Sequence, residues 1–493
     1  MRHVDPVVRG LGSLLVLCLL LPAQTLTRGP SVWEHGPTSF LVAFRTSSNV
    51  QGQIEWGFTE TLGNTTSGTS TTNHAIRIAG LRPDHFYWYR VRLQGVPVTP
   101  VFRTRTSASA SSGATGSEVS FFVFGDCGTG SSDQLRVAGL VDSWDWDLGL
   151  LVGDIIYPDG QASGFGPYFF TPYGPTLRST PFYPVLGNHD IHTSNGQPYL
   201  DAFYLPTANS GTERWYSFDH GSVHFIGLDS NQVTSTTQTA WLRNDLTAAR
   251  NNNAQWIFVT LHHPPYSSGT VHGRDQTVYQ TWSPIFEELE VDAVFTGHDH
   301  IYERSSVRRD FYPNNRGVVY YVVGTGGAGL YDINPQPYSA NAVSSHGVLK
   351  VDVHGNVYRS TFLDGRASTL GQRLDSWSMT RGPVTPALRA VSPSPEPGQS
   401  FQGAFDGPSG AFVVLFALQS GYAQVPGLGP LQIGAANTIL ASGLIGSTHS
   451  TGFSLAIPSQ ASLVGTSLFL QGLATSIPSM TMRLTDLLPA RIR

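Results

Sequence analysis

Cysteine is almost absent from this chain: two residues in 493, Cys18 and Cys127. Cys18 lies in an N-terminal apolar run, so removal of that run leaves one thiol and excludes both an internal disulfide and a cysteine-rich structural zinc site. Charge is scarce too. Asp, Glu, Lys and Arg make up 13% of the chain, against roughly 25% in an average soluble protein, and Lys350 is the single lysine among 29 basic residues. The net charge of −5 is scattered. No basic stripe of the kind nucleic-acid binding needs is found, so no nucleic-acid groove is expected. Beyond the N-terminus no apolar run is long enough to cross a membrane as a helix.

What is present is apolar residues, at 40%, with abundant Gly, Ser, Thr and Pro. The length exceeds one compact domain, so two or three are expected. Arg2 and Arg9 precede a run from Leu11 to Leu21 that is followed by Pro22-Ala23-Gln24. The run is too short for a membrane helix and Ala23 suits cleavage, so residues 1–23 read as a signal peptide and the protein as exported. Residues 31–106 read as short strands at Phe40 to Phe44, Gln53 to Trp56, His74 to Ile78 and Phe86 to Leu93, with 63–73 as a turn-rich separator. Ala79 to Pro83 followed by Tyr87 to Val91 resembles the late strands of a fibronectin type III-like sandwich. Two linkers follow from composition, Ser/Ala/Gly/Thr-rich at 107–117 and Pro/Ser-rich at about 382–398. Residues 400–493 alternate apolar strands with Gly and Pro turns, resemble a small β-sandwich, and carry no reactive cluster.

The central region, 118–380, differs. Its apolar runs end in polar clusters: Val119 to Phe124 in Gly125-Asp126-Cys127-Gly128, and Leu148 to Val152 in Gly153-Asp154-Ile155-Ile156-Tyr157. Phe182 to Leu186 ends in Gly187-Asn188-His189-Asp190, Trp256 to Leu261 in His262-His263, and Val291 to Phe295 leads to Gly297-His298-Asp299-His300. Helical periodicity covers Asp133 to Ser143 and Gln238 to Arg250. In α/β folds ligands bind beyond the carboxyl ends of strands, so these five clusters are expected to converge. Asp, Asn, Tyr and His donors without a second thiol suit Fe, Zn or Mn. They are too many for one open catalytic ion and sufficient for two ions bridged by a carboxylate. The glycines before Asp126, Asp154, Asn188 and His298 are expected to let the backbone turn sharply beside the metals.

Taken singly, each residue has an ordinary reading. Asp126 and Asp154 could be turn or cap residues, Tyr157 a half-buried aromatic, Asn188-His189 a polar turn and His298-x-His300 a polar strand end. The ordered set is more specific. Asp126-x-Gly128, Gly153-Asp154-x-x-Tyr157, Gly187-Asn188-His189, Val259-x-x-His262 and Gly297-His298-x-His300 resemble the calcineurin-like metallophosphoesterases. Tyr157 and the extension Ile301-Tyr302-Glu303-Arg304 are similar to the purple acid phosphatase branch.

That resemblance implies an α/β fold: a four-layer sandwich of two mixed β-sheets flanked by helices, between N-terminal and C-terminal all-β sandwich domains. It implies Fe(III) on Asp126, Tyr157 and His300, with Asp154 bridging to a divalent Fe, Zn or Mn on Asn188, His262 and His298. A phosphorylated small-molecule ester would be the substrate, a metal-bound hydroxide the attacking group. His189 and His272 match positions outside the metal shell that bind phosphate and protonate the leaving group. His263 reads as structural, and Cys127 as a small packing residue. Plant members of the family carry Glu where this chain has Asp190, which would alter hydrogen bonding behind His189. Three activities stay open: a secreted phosphomonoesterase, a phosphodiesterase or nucleotidase on the same site, and a non-catalytic surface binding protein.

Overall fold

The structure, a computed structural model, describes residues 25–109 and 118–381 and, beyond them, the backbone of strands between 387 and 491. The expected signal peptide, 1–23, and most of the first linker lie outside the described residues.

Six strands form the N-terminal unit: β1 (Leu26–Trp33), β2 (Ser39–Gly57), β3 (Asn64–Ala79), β4 (Phe86–Leu93), β5 (Val96–Pro97) and β6 (Phe102–Arg105). The runs expected as two strands, at Phe40 and Gln53, are one 19-residue strand, β2. It pairs with β3 along its length, with β1 through its first half and with β4 through its second. The paired strands enclose a core of Phe40, Val42, Ile54, Ile76, Tyr87 and Val91. Residues 63–73 are not a turn-rich separator. All but Gly63 belong to β3, where β-branched threonines suit a pleated ribbon and both faces are largely exposed until His74. Exposure on both sides removes the apolar alternation by which a strand is recognised.

This unit is docked firmly on the next. Trp33, 1% exposed, packs against Phe170 and Phe203. The Tyr89 hydroxyl donates to the Arg178 carbonyl at 2.7 Å and that of Thr104 to the Ser179 carbonyl at 2.7 Å.

The central domain contains two sheets. The first holds β7 (Glu118–Phe124), β8 (Leu148–Leu151), β9 (Phe182–Pro184), β17 (Gly347–His354), β18 (Val357–Asp364) and β19 (Arg373–Thr380), ordered β19-β18-β17-β7-β8-β9. The second holds β10 (Tyr216–His220), β11 (Val223–Gly227), β12 (Trp256–Thr260), β13 (Ala293–Thr296), β14 (Tyr302–Ser305), β15 (Val319–Val323) and β16 (Ser339–Val343), ordered β10-β11-β12-β13-β15-β14-β16. In each sheet the strands leading to the reactive clusters are parallel neighbours, with antiparallel strands outside them.

The two sheets meet face to face. Phe121 of β7 packs on Phe225, Phe258 and Phe295 of the second sheet, with ring centroids 5.3, 5.6 and 5.9 Å apart. Outer faces are covered by helices. Val137, Leu140 and Val141 of the helix Ser132–Asp142 join the main core. Leu242 and Leu246 of Thr236–Asn251 pack with Ile257, Val259 and Val294 on the far side of the second sheet. Burial on both faces explains why β7, β12 and β13 read as continuous apolar runs. Ser131 and Ser235 cap these helices by accepting from Gln134 N and Gln238 N. The four-layer helix–sheet–sheet–helix arrangement is the one the sequence implies.

Beyond the second linker, backbone strands pair antiparallel, for example Ser400–Asp406 with Ser450–Ala456 and Gly410–Ala417 with Ser467–Ser476. Ala387–Ala390, read as linker, pairs with residues 403–406.

Candidate metal centre

The five polar clusters follow the carboxyl ends of β7, β8 and β9 in one sheet and β12 and β13 in the other. The convergence therefore spans two sheets rather than the crevice of one.

Side chains from these loops form two groups that share one oxygen. In the first, the Tyr157 hydroxyl lies 3.3 Å from Asp126 Oδ1, 3.1 Å from Asp154 Oδ2 and 3.1 Å from His300 Nε2. In the second, His262 Nε2 lies 3.0 Å from Asn188 Oδ1, 3.2 Å from His298 Nδ1 and 3.4 Å from Asp154 Oδ2. Donor atoms of Asp154, His262 and His298 all fall within 4.8 Å of one another. Metal–ligand bonds of roughly 2.0–2.2 Å need donors about 3.4 Å apart around a tetrahedron. The residues present therefore fit a metal site, and Asp154 Oδ2 stands where the two groups meet.

Backbone acceptors fix the imidazoles. His262 Nδ1 is 2.8 Å from the Val152 carbonyl and His300 Nδ1 is 2.6 Å from that of Gly329. A carbonyl can only accept, so both rings carry a proton on Nδ1 and turn Nε2 to the site. Amides orient the carboxylates: His298 N donates to Asp126 Oδ1 at 3.1 Å and His189 N to Asp154 Oδ1 at 2.9 Å.

The turns differ from expectation in one respect. Asp126, Asp154 and His298 themselves adopt left-handed conformations, with φ of 55°, 50° and 70°. Of the glycines preceding the four ligand positions, only Gly153 does, at 93°. The other glycines supply space. A Cβ on Gly187 would sit 2.1 Å from Asp154 Oδ1, and one on Gly297 2.4 Å from Asp126 Oδ2.

Electrostatics follow from burial and crowding. Burial disfavours a charged Asp154, but the charges of His262 and His189 hold its carboxyl below the usual carboxylate range. Burial likewise opposes the imidazolium of His262, yet Asp154 raises it to about 9. Burial and then the neighbouring His262 push His298 down to about 2, so that ring is neutral and able to ligate. Burial, then the carboxylates of Asp126 and Asp154, drive the Tyr157 phenol well above its ordinary value. Its ionisation requires a strong cation nearby.

His189 and His272 border different donor groups. The ring of His189 lies 4.5 Å from that of Tyr157, its Nδ1 bonded to the Pro158 carbonyl. Its Nε2 is 3.9 Å from Asp154 Oδ2. The ring of His272 stacks on His298. His263 is tied to Ser230 Oγ at 2.8 Å, and burial followed by His262 lowers it to about 3. Cys127 is buried and its thiol pushed up, by burial first and then by Asp190 and Asp126.

Three residues escaped the sequence reading or were misread. Asp190 does not act behind His189. Its carboxylate accepts from Ile155 N at 2.9 Å, Ile156 N at 3.3 Å and Gly187 N at 2.9 Å, tying two ligand loops together. Burial, then Asp154, raises that carboxyl to about 7. Asp299 accepts from Ser267 Oγ, Gly273 N and His272 N at 2.5, 2.9 and 3.2 Å. It occupies the variable position of Gly297-His298-x-His300, where the motif carries no signal. Tyr331 stacks on His300 with centroids 4.1 Å apart. It follows a sixth strand end, where the apolar run of β15 stops at Gly324-Thr325-Gly326-Gly327.

Comparison with known proteins agrees with this geometry. Residues 119–302 match the calcineurin-like phosphoesterase family. Purple acid phosphatase 23 of Arabidopsis thaliana is 28% identical over 292 residues, 52% of this chain and 63% of that protein. Phosphoenolpyruvate phosphatase of Allium cepa is 30% identical over 243 residues, 42% of this chain and 50% of that protein. The chain thus spans about half to two thirds of these relatives. Among solved structures, a purple acid phosphatase from yellow lupin (Lupinus luteus) seeds superposes with a TM-score of 0.62 at 18% identity, covering 72% of this chain and 75% of that one. PhoD gives 0.56 at 13% identity, covering 77% of this chain and 90% of that one. With the matched fold and the matched sequence in the same region, the chain carries a calcineurin-like metallophosphoesterase domain and is a homologue of the purple acid phosphatases.

Proposed function

We propose that the protein is an exported acid phosphatase that hydrolyses phosphate monoesters at a dinuclear metal centre. The observation that carries this reading is the pair of donor groups joined at Asp154 Oδ2. Asp126, Tyr157 and His300 would hold Fe(III), the cation strong enough to ionise the buried phenol. Asn188, His262 and His298 would hold a divalent Fe, Zn or Mn, with Asp154 common to both. When bound, such a pair supplies Lewis-acid polarisation of the phosphoryl group and a nucleophile at acid pH.

The chain's own groups do the rest. The Val152 and Gly329 carbonyls take the Nδ1 protons of His262 and His300 and aim Nε2 of each ring inward, where a bound metal would displace any proton. His189, with Nδ1 occupied by Pro158, turns Nε2 to the cleft, where it would bind a phosphoryl oxygen. His272, stacked on His298, would give a proton to the leaving oxygen. Export rests on the apolar run before Ala23, and no helix among the described residues is long and apolar enough to cross a membrane.

Elemental analysis and a visible spectrum of the oxidised protein test the centre. The expected result is about two metal ions per chain, one of them iron, with a visible band that Tyr157→Phe removes. Two ions without iron or colour would shift the reading to a Zn or Mn hydrolase. Failure to bind any metal after reconstitution would end it.

A further inference from the structure

A cleft of about 590 Å³ opens between the N-terminal sheet and the central domain, remote in sequence from every residue of the metal centre except the segment after Asn188. Arg45, Thr46 and Asn73 line it from one side, Asp201 and Tyr204 from the other. Arg28 lines a narrower recess that shares Arg45, Asn73, Asp201 and Tyr204.

The two arginines are in an unusual position. Arg28 and Arg45 are direct cross-strand partners on β1 and β2, and like charges placed opposite one another destabilise an antiparallel pair. Neither guanidinium forms a salt bridge among the described residues. Arg45 donates to the Asp201 backbone carbonyl at 2.9 Å and to Asn73 Oδ1 at 3.3 Å. The Asp201 carboxylate instead accepts from Gln197. Arg28 lies over the Phe170 ring, 4.1 Å from its centroid, and its five N–H donors meet no acceptor among the described residues. Burial first, then Arg45, lowers the Arg28 guanidinium to about 10. Two half-buried guanidiniums without a carboxylate partner, Arg45 at the cleft and Arg28 in the adjoining recess, are a frustrated arrangement, which native chains retain where a ligand relieves it. The planar forks match the oxygens of phosphate and sulfate.

We propose that this interdomain cleft binds a divalent tetrahedral oxyanion, phosphate or sulfate, against Arg45, where the cleft meets the recess that Arg28 lines. The site is separate from the metal centre and does not depend on its activity.

Thermal unfolding of the full chain with sodium sulfate, against sodium chloride at matched ionic strength, tests the site. Sulfate at about 20 mM, binding with an affinity on the order of 1 mM, should raise Tm by about 2 °C over chloride. The shift should vanish in Arg28→Gln/Arg45→Gln and persist in His298→Ala, which touches only the metal centre. Without sulfate, the double variant should melt no lower than wild type, because it loses a repulsion. Equal shifts with sulfate and chloride, or an undiminished sulfate shift in the double variant, would overturn the proposal. A double variant that melts several degrees lower without sulfate would also overturn it, marking the arginines as structural. Methyl phosphate in the same assay separates the sources. A shift lost in the double variant admits phosphate esters, and no such shift confines the site to free ions; both accompany a positive sulfate result.

Discussion

The imidazole of His272 lies nearly flat on that of His298, with ring centroids 3.9 Å apart and planes 28° apart. A ring held this way borders the second donor group without entering it. His272→Ala should therefore leave metal content unchanged and lower kcat/KM by about 10²-fold, the usual contribution of a general acid. His298→Ala should instead lose one metal equivalent. Loss of metal in both variants would make His272 a ligand.

Asp299 holds the backbone that carries that ring. It is fully buried and accepts from Ser267, His272 and Gly273. Asp299→Ala strands three donors, at about 1–3 kcal/mol for each that water cannot reach, so its Tm should fall. Asp299→Asn keeps an acceptor and should fold. Its kcat should drop towards that of His272→Ala while metal content stays at wild type. An Asn variant with wild-type kcat would confine Asp299 to stability.

Gly187 has no room for a methyl group. Its Cβ would lie 2.1 Å from Asp154 Oδ1 and 2.3 Å from Asp154 N. Gly187→Ala must displace the shared carboxylate, with an overpacking cost of about 1–3 kcal/mol. Both metal equivalents should become removable by a chelator concentration that leaves wild type loaded. Retention of both at wild-type strength would show that the loop yields without moving Asp154.

Acid should weaken the seam between the N-terminal unit and the central domain. His35 is buried, with Nε2 3.3 Å from Thr104 Oγ1, and burial followed by the charge of His220 lowers it to about 3. The unfolded chain takes up this proton below about 6.5 and the folded chain does not until about 3. Stability is therefore complete above the unfolded value and is lost as pH falls through that window, by about 2 kcal/mol at pH 5. His35→Gln should flatten the decline of Tm between pH 6.5 and pH 4.5, whereas parallel curves would place the acid-labile group elsewhere.

The sequence was most readable where local and tertiary requirements coincide. Strands β7, β8, β12 and β13 are buried on both faces, so each is an apolar run that stops at the rim, and the ligand loops begin where the runs stop. Asn64 to Asn73 failed for the opposite reason. Its Thr, Ser and Asn residues are common to loops and to two-sided exposed strands, and only pairing with β2 decides between them. Asp299 and Tyr331 were out of reach because their roles depend on partners brought from other loops: His272 for one, His300 for the other. The glycines were read as turn formers because conformation and clearance leave the same residue in the sequence. Only backbone angles separate the two uses.

Asp126, Asp154 and His298, three of the proposed ligands, have backbones that residues other than glycine enter at a cost, of order 1–3 kcal/mol each. Glycine at any of them would relax the chain and remove a donor. Selection for folding alone and selection for turnover therefore pull these sites in opposite directions. In a lineage released from catalysis, these three positions should be among the first to drift to glycine, while the apolar strands beneath them stay unchanged.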